Sequence, residues 1–167
     1  MEGDQYVLPG FTSDGQKLFL RRSGSIIHSL NAKMRKGGIG GRLSLRSGRD
    51  VLAAGIAKPC RYCSKIIKIL TMSADHPMPV ARGGDPFMID CICRSCNEIK
   101  GELASDEFQK LMVFIRSLAP EGGADLLRRL HAGAFGIRMM AQQRGREFKG
   151  RKKKADGARS LDRPNNA

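Results

Sequence analysis

Residues 60–101 read CRYCSKIIKILTMSADHPMPVARGGDPFMIDCICRSCNEIKG, and the fold turns on the two Cys-x-x-Cys pairs in this stretch. Cys60 and Cys63 form the first pair, Cys93 and Cys96 the second, with 29 residues between them. A Cys-x-x-Cys turn lets two thiolates converge on one ion, and two such turns complete a closed tetrahedral sulfur shell. A thioredoxin-like redox pair comes singly and with a βαβ pattern, which this sequence lacks. The expected ion is a structural Zn²⁺ held by Cys60, Cys63, Cys93 and Cys96, worth on the order of 10 kcal/mol to folding. Arg61, Lys65, Lys68, Arg94 and Lys100 lie close in sequence and would offset the centre's negative charge. Cys91 falls in an apolar run and reads as a core residue.

Outward from the cysteines, Ile66, Ile67, Ile69 and Leu70 predict a mostly buried strand. Pro77 and Pro79 forbid a helix directly after it. Gly83-Gly84-Asp85-Pro86 predicts a turn, Phe87 to Ile92 a second strand, and Asn97 to Leu103 a helix. Strand, loop, strand and helix, joined by the metal, make a ββα unit. Upstream, Asp50 to Ile56 reads as a short helix stopped by Pro59. Downstream, Ser105 is the expected N-cap of a helix whose stripe is Phe108, Leu111, Met112, Ile115 and Leu118. Pro120 and Gly122-Gly123 end it, and a further helix is expected over roughly 125–143. Near the start, Tyr6-Val7-Leu8 and Leu18-Phe19-Leu20 flank Thr12-Ser13-Asp14-Gly15, which predicts a β-hairpin.

Ser73-Ala74-Asp75-His76-Pro77 lies where the first strand should end, and Asn97 directly follows the last cysteine. The metal turns draw residue 97 towards residues 75 and 76. Asp75 and Asn97 then offer oxygen ligands to a Mg²⁺-like ion, and His76 is free to take a proton from water. That set suits phosphodiester hydrolysis.

Cys-x-x-Cys, Asp-His, Gly-Gly-Asp and Cys-x-x-Cys-Asn-x-x-Lys-Gly together resemble the HNH endonucleases of the His-Me finger, or ββα-metal, superfamily. The zinc-bearing phage-type members, including the phage endonuclease VII group, share the Asn directly after the last zinc cysteine. The resemblance implies that His76 is the general base, that Asp75 and Asn97 hold a catalytic Mg²⁺ or Mn²⁺, and that the four paired cysteines hold zinc. It also puts Arg82 and Lys100 near the scissile phosphate of DNA. One position departs: the family's middle Asn is Met88 here, and the segment from His76 to Cys93 is a couple of residues short. Loss of that Asn implies either lower activity or transfer of its task, holding the His-bearing loop, to Asp85 or Asp90.

The expected fold is α+β: a small ββα-metal core stapled by a four-cysteine zinc site, with C-terminal helices and a disordered basic tail. The expected division is a basic N-terminal region at 1–49, a nuclease core at 50–108, a helical region at 109–143 and the tail at 144–167. The 167 residues carry 30 Lys and Arg against 16 Asp and Glu, a formal charge of +14, so a polyanionic partner is expected. Lys17 to Arg49 holds nine of those cations and no acid, which reads as a phosphate-contacting arm. Its Gly37, Gly38, Gly40 and Gly41 do not make a P-loop, because no Gly-Lys-Ser/Thr ending follows. No run approaches the roughly 18 apolar residues of a membrane span. The tail has no apolar face for a membrane surface. Met1-Glu2-Gly3-Asp4-Gln5 is acidic and polar and is not read as an export signal. A cytoplasmic location follows as the expectation; a phage-encoded chain would act there in its host cell. The rival to the endonuclease is a non-catalytic zinc module that only binds nucleic acid.

Overall fold

The structure, a computed structural model, describes residues 6–134 together with residues 136 and 140. The basic tail expected at 144–167, and most of the helix expected beyond residue 134, lie outside the described residues. The element order is α1 (Ser13–Lys36), α2 (Leu45–Gly55), β1 (Met72–Asp75), a 3-10 turn (Val80–Arg82), β2 (Asp90–Cys93), α3 (Arg94–Lys100) and α4 (Ser105–Ser117). A last helix, α5, runs over 120–134, with Pro120 at its first position, where a missing N–H costs nothing. The molecule is thus α+β, with a two-stranded antiparallel sheet as its only sheet among the described residues.

The expected N-terminal hairpin is instead the start of α1. The Thr12 hydroxyl accepts from the Gly15 N–H, an N-cap, and Asp14 sits favourably in the first turn. Phe19, Ser23, Ile27 and Met34 then recur on one buried face. Gln16 ties the incoming segment down, its Oε1 accepting from Leu8 N at 2.9 Å, while the Tyr6 and Phe19 rings stack at 5.8 Å. The basic stretch 17–49 is therefore mostly helical. Asn31 clamps the α1–α2 connection by bonding both N–H and C=O of Leu43, at 2.9 and 3.0 Å. Ser44 caps α2 through Ser47 N.

The run at 66–70 is not the first strand. Residues 57–67 form a tight turn in which Ala57 N reaches Ile67 O at 2.9 Å and Cys60 N reaches Lys65 O at 2.8 Å. Only Ile67 of the four apolar residues is buried there; Ile66 and Leu70 are exposed. The strand that pairs is Met72–Asp75, small enough at Ser73 and Ala74 to lie against Ile92 and Cys91. Likewise β2 begins at Asp90 rather than Phe87, and Phe87 and Met88 stay on the outside. The helix expected from Asn97 begins at Arg94, inside the second cysteine pair.

Asp75 and Asp90 face each other in the sheet register, a like-charge pairing that normally destabilises. Each is neutralised by its own cation: Lys100 for Asp75 at 2.9 Å, Arg61 for Asp90 at 2.5 Å. The Arg61 bridge also ties the first cysteine turn to β2. Ser105 is not the N-cap of α4; Ala104 occupies that place, its N–H bonded to Glu107 Oε2 at 2.8 Å. The Ser105 hydroxyl is used elsewhere, accepting from the Tyr62 hydroxyl at 2.8 Å, while the Tyr62 ring meets Phe108 edge-on at 4.8 Å.

One core joins all these elements. Phe19 and Ile27 of α1 and Leu52 of α2 are buried in the same cluster as Ile67, Met72, Ile92, Phe108 and Ile115. At Gly55, the end of α2 touches β2 so closely that an added Cβ would lie 2.4 Å from Cys91 Cβ. Gly55→Ala is expected to cost about 1–3 kcal/mol by overpacking, lowering Tm by several degrees. Gly122→Ala, on the open side of α5, has nothing within 4 Å and should leave Tm unchanged or raised. Thermal unfolding of the two variants checks the contact, and an equal response from both would disprove it.

Candidate active site and metal centre

The sulfur atoms of Cys60, Cys63, Cys93 and Cys96 all lie within 4.8 Å of one another. The first pair is carried by the 57–67 turn, where Ser64 takes φ 61° to reverse the chain. The second pair spans the junction of β2 and α3, with Cys93 as the N-cap position. Cys63 and Cys93 sulfurs approach to 3.6 Å, a spacing that suits neighbouring ligands of one tetrahedral ion. In the thiol state, S–H donation from Cys93 and Cys96 lowers the Cys60 pKa, and the same contacts raise those two partners. The set fits a soft metal ion and could hold one. Cys91 stays outside it, packed at Gly55, and burial pushes its thiol up to about 11.

Asp75, at the end of β1, is buried, and its Oδ1 accepts from Lys100 Nζ at 2.9 Å. The same ammonium donates to the His76 carbonyl at 2.9 Å. Burial raises the Asp75 pKa, and the bond from Lys100 pulls against that rise. Oδ2 of Asp75 is sealed from water with no hydrogen-bond partner. Asn97 belongs to the first turn of α3, one turn before Lys100 on the same face. Its Nδ2 donates to Ser73 Oγ at 2.7 Å and to the Ala74 carbonyl at 2.9 Å, leaving Oδ1 as the unspent acceptor. Asn97 and Lys100 together clamp α3 onto β1. An orphaned carboxylate oxygen and an unspent amide oxygen from adjoining elements are the donors a hard divalent cation takes.

His76 follows directly, and its Nε2 lies 3.1 Å from the Pro86 carbonyl oxygen. A carbonyl can only accept, so Nε2 carries the hydrogen and Nδ1 keeps the free lone pair. The loop that brings Pro86 there is fixed by backbone geometry. Gly83 takes φ 86°, and a Cβ on Gly84 would lie 2.0 Å from the Met78 carbonyl oxygen, so no side chain fits. Asp85 Oδ1 then accepts from Phe87 N at 2.8 Å, a local Asx turn around Pro86. Of the two acids expected to hold this loop, Asp85 shapes it, whereas Asp90 is engaged by Arg61. The Met88 side chain is exposed, and its backbone N–H donates to the Asp85 carbonyl at 3.3 Å.

Asp75, His76, Asn97 and Lys100 line one open cleft of about 520 Å³. Lys100 is 2% exposed with its ammonium turned inward, so the charge expected at a phosphate is spent on Asp75. Arg82 is half exposed on the 3-10 turn and is held by Glu107, with Nη2 2.9 Å from Oε1. Arg82, with help from the Ala104 N–H, holds the Glu107 carboxyl down to about 2. His131 pairs with Glu98 at 3.1 Å and lies outside this cleft. The Pro86 carbonyl and the Ser73 hydroxyl are the contributors that side-chain motifs do not announce.

The model of the HNH endonuclease family matches residues 60–112, from the first metal-site cysteine to the middle of α4. That match supports the HNH superfamily for this segment, a nuclease-type function and a nucleic-acid substrate. No curated protein and no solved structure matches the chain. No helix among the described residues is long and apolar enough to cross a membrane.

Proposed function

We propose that this protein is a metal-dependent DNA endonuclease with His76 as general base, related to the zinc-bearing phage-type members such as the endonuclease VII group. The observation that carries the reading is the shared cleft, with the imidazole steered by Pro86 while Asp75 Oδ2 and Asn97 Oδ1 remain unspent. Zn²⁺ is the ion for the four cysteines. Asp75 and Asn97 are the pair for Mg²⁺ or Mn²⁺, which when bound would stabilise charge on the departing oxygen.

His76 Nδ1 takes a proton from water as the water oxygen forms its bond to phosphorus. The bond from phosphorus to the 3′ oxygen breaks, and that oxygen is protonated from solvent. The Pro86 carbonyl keeps the ring in one tautomer and stabilises the imidazolium that forms. Lys100 acts through Asp75, holding one carboxylate oxygen so that the other stays aimed. Arg82 exchanges Glu107 for a backbone phosphate. The reaction runs in the cytoplasm, in a host cell if the chain is phage-encoded.

Supercoiled plasmid tests this. Nicking is expected with Mg²⁺ or Mn²⁺ supplied and not with both withheld. His76→Ala should lose ~10²–10⁴-fold in rate while keeping its zinc content and DNA affinity. Binding without nicking by the wild-type protein would instead make it a non-catalytic zinc module.

A further inference from the structure

The cleft has a second wall that comes from outside the matched segment. Leu30, Lys33 and Met34 of α1, with Gly37 and Ile39 beyond its end, line the same space as Asp75, His76 and Asn97. Met34 is buried in the last turn of α1, and the Asn31 clamp on Leu43 fixes the chain that follows. That chain reaches the loop bearing Pro86, where the Phe87 ring packs on Gly41, at φ 84°. The wall is therefore braced at both ends. Lys33 is exposed on it and has no ion-pair partner among the described residues. The other ammonium lining the cleft, Lys100, is buried against Asp75, and the remaining charged lining residue, Glu102, is acidic.

From this geometry we infer that the last turn of α1 is the second wall of a nucleic-acid channel, in which Lys33 holds a backbone phosphate of the strand lying across His76. A strand placed against Asp75, His76 and Asn97 has to pass this wall. The ammonium there supplies the one unspent positive charge of the cleft lining, opposing both Glu102 and the negative end of the α1 dipole. The chemistry recognised is a phosphodiester backbone and not a base edge, because one flexible ammonium carries no sequence information.

The inference rests on the proposed nuclease reading for its substrate, and binding separates the two. The full-length protein, with zinc retained and no other divalent ion added, is titrated against a labelled DNA duplex across a salt series. Lys33→Gln is expected to weaken binding by ~3–10-fold and to flatten the plot of log Kd against log salt by about 0.9, one lost phosphate contact. Lys33→Arg should restore the wild-type slope. Lys110→Gln is the control: Lys110 is exposed on α4, 3.9 Å from Asp106, and does not line the cleft. Its affinity should change less than ~2-fold, because only its screened long-range charge is lost. A Lys33→Gln slope equal to wild type, or an equal loss from Lys110→Gln, overturns the channel wall. Failure of the nuclease reading would appear separately, as a wild-type protein that binds but never nicks.

Discussion

Cys96→Ser is expected to leave the chain without its bound ion and without a folded 60–112 segment at room temperature. The reason is the size of what an ion at the four sulfurs would join. β1 and β2 are four residues each, and a two-stranded sheet that short is marginal in water. α3 has seven residues, too few to persist alone. The turn at 57–67 and the β2–α3 junction meet at the four sulfurs, so losing one ligand unties two segments at once. Structural zinc in small modules contributes ~10–16 kcal/mol, which exceeds the net stability of most domains. Metal analysis should find about one structural ion per wild-type chain and none in Cys96→Ser. Circular dichroism should show helix lost on the same substitution and on prolonged chelation of the wild type. A variant that keeps both its spectrum and its Tm would mean the sulfurs are only packed thiols.

The second large effect belongs to Lys100→Met. The Lys100 and Asp75 side chains are 1% and 4% exposed, so the substitution strands a buried carboxylate whose Oδ2 already lacks a partner. Breaking one side of such a pair costs ~3–5 kcal/mol. Met conserves the stem, which separates loss of charge from loss of packing. The double variant Lys100→Met/Asp75→Asn removes the stranded charge and should be more stable than Lys100→Met alone. Denaturant unfolding of the wild type, Lys100→Met, Asp75→Asn and the double variant gives the coupling directly, and strict additivity would show that the two groups do not depend on each other. Lys100→Arg should rescue poorly, because a planar guanidinium does not fit a space built around one ammonium.

These two predictions also mark what could be read from the chain and what could not. The cysteine spacing was legible because a metal site needs only the right side chains at the right separations. The Asp-His pair, the Gly-Gly-Asp turn and the stripe Phe108, Met112 and Ile115 were legible for similar local reasons. The N-terminal helix was not. Asp14-Gly15 is a turn pair in one context and the first turn of a helix in another, and Ser23 on the buried face blurred the period. The strand was misplaced because hydrophobicity marks burial and not pairing: four apolar residues at 66–70 outshine Ser73 and Ala74, yet the latter have the register. Lys100 shows in sequence only as a charge, and nothing local says that it points inward. The Pro86 contact is a main-chain carbonyl, which carries no letter at all.

The shared core has a consequence for how this molecule is built. In the linear chain the cysteine-bounded stretch looks like a portable cassette. In space it is an inlay, because Phe19, Ile27 and Leu52 fill the floor on which Met72 and Ile92 rest. Excised alone, the stretch would lay bare the apolar undersides of Met72 and Ile92, so the helices ahead of it belong to the same folding unit.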